Sequence, residues 1–372
     1  MSIKLFTSIL RYPSTTDIDF KAVFGQASDS NTLKIISELS QARSALVLAL
    51  KSKEENAFEQ ALASYAQLWF NVCEIMRSMR ERRLRVQVHW VEYLWQGFAS
   101  SSMFSYTSML YESYMLLLCH IVHLLRSAVT LLEQSGEDAA RAALEKCIRA
   151  SQAISYATRV LLPQWSTRSD FAPQGTAPEI DERFGEFLRA LALVIKNECL
   201  ATQTTLKFEE RKAQSLCSKL LIQSHEALAR ALGDISTPKL YESKVLGTLE
   251  LLRDWYFVRA MRDKALSLEV HDKQSVSAAL AMLYKARETC SGKHKKALAT
   301  LLKVLSSDIQ HLERLNDQVY FARREDIAAL TPLQAQFPSA PPAIAADSIC
   351  EQNPLVTLPL AYDPQQVIIS TN

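Results

Sequence analysis

The sequence predicts an all-α protein, an extended stack of paired helices, and three observations carry that prediction. Glycine is scarce, at 8 in 372 residues, and no proline falls between Pro13 and Pro163, so nothing punctuates that stretch as the turns of a sheet protein would. Apolar residues recur at helical spacing through most of the chain. From Thr331 onward the pattern changes: Pro332, Pro338, Pro341, Pro342, Pro354, Pro359 and Pro364 forbid helix and dictate an extended tail, strapped along the body or loose. A hydrophobic content of 48% supports a sizeable core, and a formal charge of +2 gives no global pull toward nucleic acid or anionic membrane.

After an extended start, Leu33, Ile36, Leu39, Ala42, Leu46 and Leu50 form one stripe of a helix over about 32–50. A second helix covers about 54–80. Leu84, Val86, Val88 and Trp90 then alternate with Arg85, Gln87 and His89, a strand signature that places a small sheet near the N-terminal end. Helix resumes near Ser102 and runs to Glu133. Within it, residues 115–132 have a bilayer's length of apolar sequence, but His120, His123 and Arg126 interrupt them, so the segment reads as a buried helix. Ser135-Gly136 breaks the chain before a helix that starts at Glu137, with acidic residues on its N-terminal dipole, and ends before Pro163. Residues 166–178 have loop composition. Further helices span about 179–207, 209–232, 238–270, 273–290 and 293–315. Their apolar faces are too broad for isolated helices, and antiparallel pairs stacked into a solenoid would bury them.

Seven cysteines occur without a CxxC or paired metal spacing, and residues 1–14 lack a secretory pattern, so the thiols read as reduced and the protein as cytoplasmic. Cys199 and Cys217 sit on helices expected to be neighbours, as buried structural thiols. No nucleophile elbow, HExxH, phosphate-binding glycine loop or dinucleotide fingerprint is present, which leaves an enzyme reading without support and implies neither cofactor nor small-molecule substrate. His120 and His123 share a helix face but have no Cys or carboxylate beside them at helical spacing, so no metal site is assigned. Arg77, Arg80, Arg82, Arg83 and Arg85 form the strongest charge cluster. It reads either as a solvated face or as a surface for membrane phosphates; with no aromatic residue in the run, nucleic acid is not expected.

Several segments in order resemble the BRO domain of the ALIX family. Tyr65 in ALASYAQL, Trp90 in VQVHWVEY, Tyr111-Glu112 in LYESYMLLLCHIVHLL, the alanine-rich AALEKCIRASQAISYATRVL, KNECL followed by KAQSLCSKLL, and Asn316-Asp317-Gln318-Val319-Tyr320 before Leu330-Thr331-Pro332-Leu333 carry the similarity. It covers residues 1–345, leaving 346–372 as the tail. Leu118-Cys119 and Gln152 depart from the family pattern, which marks a divergent copy with altered packing.

The resemblance implies a curved solenoid with tetratricopeptide-like hairpins, acting without catalysis as an ESCRT-associated adaptor recruited to endosomes. In that family the C-terminal amphipathic helix of an ESCRT-III subunit docks on an apolar patch flanked by charge. Here the patch falls on Leu200, Leu216 and Leu220, with Arg141 beside it one turn from Glu137. Leucines four residues apart are also ordinary helix packing. Tyr320 reads as a helix-end aromatic covered by the tail or as a regulatory tyrosine. Alternatives remain a scaffold for another cytosolic partner, such as a small GTPase or a signalling protease, and an anionic membrane-surface binder. The 372 residues are either a whole protein or the first domain of a longer one.

Overall fold

The computed structural model describes residues 2–21, 30–52, 54–78, 88–91, 103–106, 108–134, 136–166, 180, 182–235, 243–323 and 353–355. Its helices are α1 (Ser2–Ile9), α2 (Ser30–Ser52), α3 (Glu55–Ser78), α4 (Met109–Glu133), α5 (Glu137–Tyr156), α6 (Leu162–Ser166), α7 (Glu182–Lys207), α8 (Glu210–Ile235), α9 (Ser243–Ser267), α10 (Lys273–Ser291) and α11 (Ala299–Leu315). Three short strands, β1 (Ser14–Thr15), β2 (Val88–Val91) and β3 (Met103–Tyr106), pair antiparallel in that order, with Trp90 opposite Thr15 and Phe104. α4 packs on α5, α5 on α7, and from α7 to α11 each helix lies against the next.

The sequence places helix from Ser102, but Met103–Tyr106 pairs with β2 and α4 begins only at Met109. Ser108 sets that start, its hydroxyl accepting from the Leu110 N–H at 3.3 Å. α4 is then the centre of the molecule. Every residue from Tyr111 to Cys119 is buried, because α1, α3, α5 and α7 all pack on it. It is the one described helix long and apolar enough to cross a membrane, and about two thirds of its most apolar window (67%) lies inside the protein.

One fully buried ion pair ties the N-terminal segment to this centre. Arg43 on α2 meets Glu112 on α4, and the same guanidinium donates to Thr15 Oγ1 at 2.6 Å and to the Thr16 carbonyl at 3.2 and 3.3 Å. Tyr65 on α3 lies under it, with 5.2 Å from the guanidinium to the ring centre, and Trp69 Nε1 donates to Ser113 Oγ at 3.0 Å.

Helix also continues past Pro163, where the sequence predicts an end. The Leu162 N–H reaches back to the Ala157 carbonyl, closing a wide π turn over Ala157–Leu161. That turn resets the hydrogen-bond ladder so that Pro163 occupies the first turn of α6, where its missing N–H costs little. Residues 293–298, expected as helix, form turns before α11 begins at Ala299. α8 passes Gly233 and ends at Ile235.

At the other end of the chain, α11 closes through a π turn, Asn316–Tyr320, into Phe321 at φ 56°. Asn316 holds this unusual exit: its amide donates to the Ala322 carbonyl at 3.1 Å and its oxygen accepts from the Ala322 N–H at 2.8 Å. Of the tail, Asn353–Leu355 is described, and Leu355 packs against the core.

Candidate docking site

α5, α7 and α8 form three adjacent, antiparallel columns whose register is fixed by polar contacts. Glu137 Oε1 lies 2.9 Å from Lys207 Nζ, and further along the buried Cys147 thiol neighbours that of Cys199, so α5 and α7 run in opposite directions. Asn197 Nδ2 donates to the Leu220 carbonyl and to Ser224 Oγ, both at 3.1 Å, while the Cys217 thiol lies 3.5 Å from the Ala201 carbonyl. Leu144, Leu200 and Leu220 therefore stand at one level across the three helices. Small residues make the close approach possible: Ala140, Ala143, Cys147 and Ala150 on α5, and Cys199 on α7, are all buried.

One residue on from a seam position is a rotation of about 100°. On α5 that rotation brings out Arg141, Leu144 and Ile148, and on α7 it brings out Leu200. Because the two helices are antiparallel, both sets turn to the same side. On α8 the position one residue before Cys217 turns to that side as well, which presents Leu216 and, one turn on, Leu220. The structure thus brings together all five residues that the sequence assigns to docking, on one outer face. Leu144, Leu200, Leu216 and Leu220 are half-buried, and Ile148 is 43% exposed, unlike the fully buried leucines of α4. Leu144 and Ile148 escape a reading that follows the family motifs. Their signal is the run of small residues at positions 140, 143, 147 and 150, which marks the inner seam and leaves the large apolar residues of α5 outside.

Charge sits at one end of this face. Glu137 is bridged by Lys207 and by Arg141 Nη2 at 3.3 Å, and hydrogen bonding from the Lys207 ammonium holds its carboxyl below the usual range. Both Arg141 and Glu137 remain exposed, at 60% and 44% of the side chain. An exposed pair of this kind contributes little to stability, so its chemistry is available to a partner.

The other sequence candidates fall elsewhere. The Arg77 side chain, and Arg80, Arg82, Arg83 and Arg85, lie outside the described residues. Tyr320 is half-buried and donates its hydroxyl to the Val270 carbonyl at 3.0 Å, bracing the turn between α9 and α10. His120 is pushed down to about 3 by burial and by Arg149 nearby, and burial also lowers His123, whose Nδ1 lies 3.1 Å from the Tyr12 hydroxyl. Among the described residues no three His, Cys, Asp or Glu side chains converge as a metal set. Cys199 and Cys217 are both buried and stand on the neighbouring helices α7 and α8, with Cys199 facing the α5 seam and Cys217 facing Ala201 and Thr205.

No protein-family model matches the chain, and no curated protein matches it by sequence. Solved structures do match. The complex of the ALIX BRO1 domain with CHMP4C superposes with a TM-score of 0.65 at 16% identity, over 87% of this chain and 91% of that one. ALIX in complex with the SIVmac239 PYKEVTEDL late domain gives 0.66 at 16% identity, over 87% of this chain and 47% of that longer one. A Bro1 domain, described in relation to endosomal targeting, gives 0.62 at 13% identity, over 85% and 87%. The chain therefore has the BRO1-domain fold.

Proposed function

We propose that this protein is a non-enzymatic, ESCRT-associated adaptor whose outer α5–α7–α8 face binds the C-terminal amphipathic helix of an ESCRT-III subunit. The observation that carries the proposal is the convergence of Leu200, Leu216 and Leu220 with Arg141 and Glu137 on one face, although the five residues come from three helices. A shallow apolar face with a charged end suits an amphipathic helix that lays down anchors at i, i+3 and i+4. The likeness to an ALIX BRO1 domain complexed with CHMP4C, an ESCRT-III subunit, and to a Bro1 domain linked with endosomal targeting, supports both the partner class and action at endosomes from the cytoplasmic side.

The test is titration of ESCRT-III C-terminal peptides against the wild type, Leu216→Asp and Leu200→Asp, with far-UV circular dichroism as the folding control. Placing a carboxylate in an apolar contact is expected to weaken binding by about 30-fold or more without unfolding the protein. Leu220 also packs against the core, so Leu220→Ala rather than Leu220→Asp is its informative variant. Unchanged affinity in both aspartate variants would sink the assignment.

A further inference from the structure

The N-terminal helix is fastened by a polar cluster that the docking face does not use. α1 packs on α4 and on α9 and buries Phe6 and Ile9, with Leu10 buried just beyond it. Its C-terminal end is tied to α4 at two points. Arg126 Nη1 donates to the Leu10 carbonyl at 2.9 Å, and its guanidinium stands over the Tyr12 ring, 5.1 Å from the centre, with Glu55 of α3 at 3.8 Å from Nε. The Tyr12 hydroxyl lies 3.1 Å from His123 Nδ1, and Phe58 of α3 packs on both rings, at 4.3 and 5.5 Å between centres. His123 is buried. Its Nε2 makes no hydrogen bond among the described residues, and Glu59 Oε2 stands off at 3.6 Å.

A neutral imidazole with its hydrogen on Nε2 suits both sides, pointing that hydrogen toward Glu59 and accepting the Tyr12 hydroxyl on Nδ1. Burial pushes the Tyr12 hydroxyl up, so it keeps its proton to donate. Protonation puts a hydrogen on Nδ1 as well. The hydroxyl must then turn round to accept, its own hydrogen loses that acceptor, and a second cation stands one turn from Arg126. The surrounding charges pull in both directions. Burial is the largest influence on His123 and holds it below the ordinary histidine range; Lys146 of α5 acts in the same sense, and Glu59 and Glu55 of α3 oppose them. His120, one turn earlier on α4, is kept neutral by burial and by Arg149 of α5, and Arg11 turns back onto the Ser8 carbonyl at 3.0 Å. We propose that Tyr12, His123 and Arg126 form a proton-operated clasp, which holds α1 on α4 while the imidazole is neutral and releases it when His123 takes up a proton. In the released segment the imidazole meets water and titrates near its ordinary value of about 6.5. The closed state binds that proton less well, so the clasp is tightest above about pH 6.5 and weakens as pH falls.

The experiment is amide hydrogen exchange of the whole chain at about pH 7.5 and about pH 5.5, corrected for the intrinsic exchange rates. The opening equilibrium of α1 is expected to rise several-fold at the lower pH, with about tenfold as the ceiling that a single proton sets over this range. His123→Asn, whose side-chain oxygen can still accept from Tyr12, is expected to abolish the rise. Tyr12→Phe keeps the ring contacts but loses the hydrogen bond, and is expected to raise α1 exchange already at the higher pH. Should His123→Asn misfold, the imidazole nitrogen resonances of the wild type carry the test, because the clasp requires the Nε2–H tautomer at about pH 7.5. No rise in the wild type, a rise of the same size in His123→Asn, or the Nδ1–H tautomer overturns the clasp. So does a rise shared equally by α4 and α10, which would report global unfolding instead of release of α1.

Discussion

Truncation of Glu112 to alanine should be among the most damaging single changes in the protein. Arg43 and Glu112 are both fully buried, and the guanidinium also donates to two neutral acceptors, Thr15 Oγ1 and the Thr16 carbonyl. Glu112→Ala removes the carboxylate that faces this desolvated cation, and breaking a buried pair in this way costs about 3–5 kcal/mol. Against a typical domain stability of about 5–15 kcal/mol, that shifts the unfolding equilibrium constant by about two to four orders of magnitude, at roughly 1.4 kcal/mol per tenfold. Replacing both partners behaves differently. Arg43→Met/Glu112→Leu removes both charges and keeps most of the volume, so it is expected to recover at least about 2 kcal/mol of the loss. Urea unfolding followed by far-UV circular dichroism measures all four corners of the cycle. A cost below about 1 kcal/mol for Glu112→Ala, or a double variant no more stable than the single, would refute the claim that breaking this buried pair is costly.

Three further outcomes follow from local geometry. Asn316→Ala removes both hydrogen bonds to the Ala322 peptide and is expected to lower stability by about 1–3 kcal/mol, with amide exchange of the last turn of α11 accelerating first. In Gly185→Ala the new methyl would stand 2.5 Å from Thr158 Cγ2, and Thr158 cannot easily turn away because its hydroxyl bonds the Ile154 carbonyl and Arg189. The expected cost is about 1–3 kcal/mol, and adding Thr158→Ser, which deletes that methyl but keeps the hydroxyl, should restore at least half of it. Burial pushes Asp263 up to about 6 from 3.8, against the opposing pull of Arg259 and Arg262. The folded state thus holds this proton more tightly than the unfolded chain, so stability from this group declines as pH rises from about 4 to 6. Asp263→Asn should flatten that slope and raise the Tm at pH 7; a lower Tm there would show that attraction to the two arginines outweighs burial.

How much of this was legible in the sequence depends on whether a signal is periodic or contextual. The helices were legible because a 3.6-residue repeat sums over many positions, as in Leu39, Leu46 and the other buried residues of α2. Their ends were less so. Ser102 reads as a helix start because nothing local shows that Phe104 pairs with Trp90, a contact between residues outside one window. Pro163 reads as a stop because the π turn that accommodates it is invisible in composition. Arg43 was missed entirely: an arginine on an amphipathic helix is normally solvated, and only the fold reveals Glu112 opposite it. On the docking face the family motifs picked out Leu200, Leu216, Leu220, Arg141 and Glu137. Leu144 and Ile148 needed the register between helices, which depends on Cys147 facing Cys199 and Glu137 meeting Lys207.

The same register gives the proposed docking face a fixed backing. α7 is fastened on both of its inner sides by polar groups. Asn197 reaches α8 through Leu220 and Ser224, and Glu198 pairs with Arg259 of α9, which is itself stacked over Trp255 at 4.3 Å. A helix held in two directions cannot shift when a ligand settles on its third side, so Leu200 is presented without an ordering cost at the moment of binding. Inner and outer substitutions should then separate cleanly. Leu216→Asp is expected to change affinity at constant Tm. Asn197→Ala, which touches no ligand but leaves the α7–α8 seam without its anchor, is expected to lower Tm and affinity together. If Asn197→Ala lowers Tm while peptide affinity stays at the wild-type value, the leucines are not held in place by the seam, and the pre-organisation of this face is wrong.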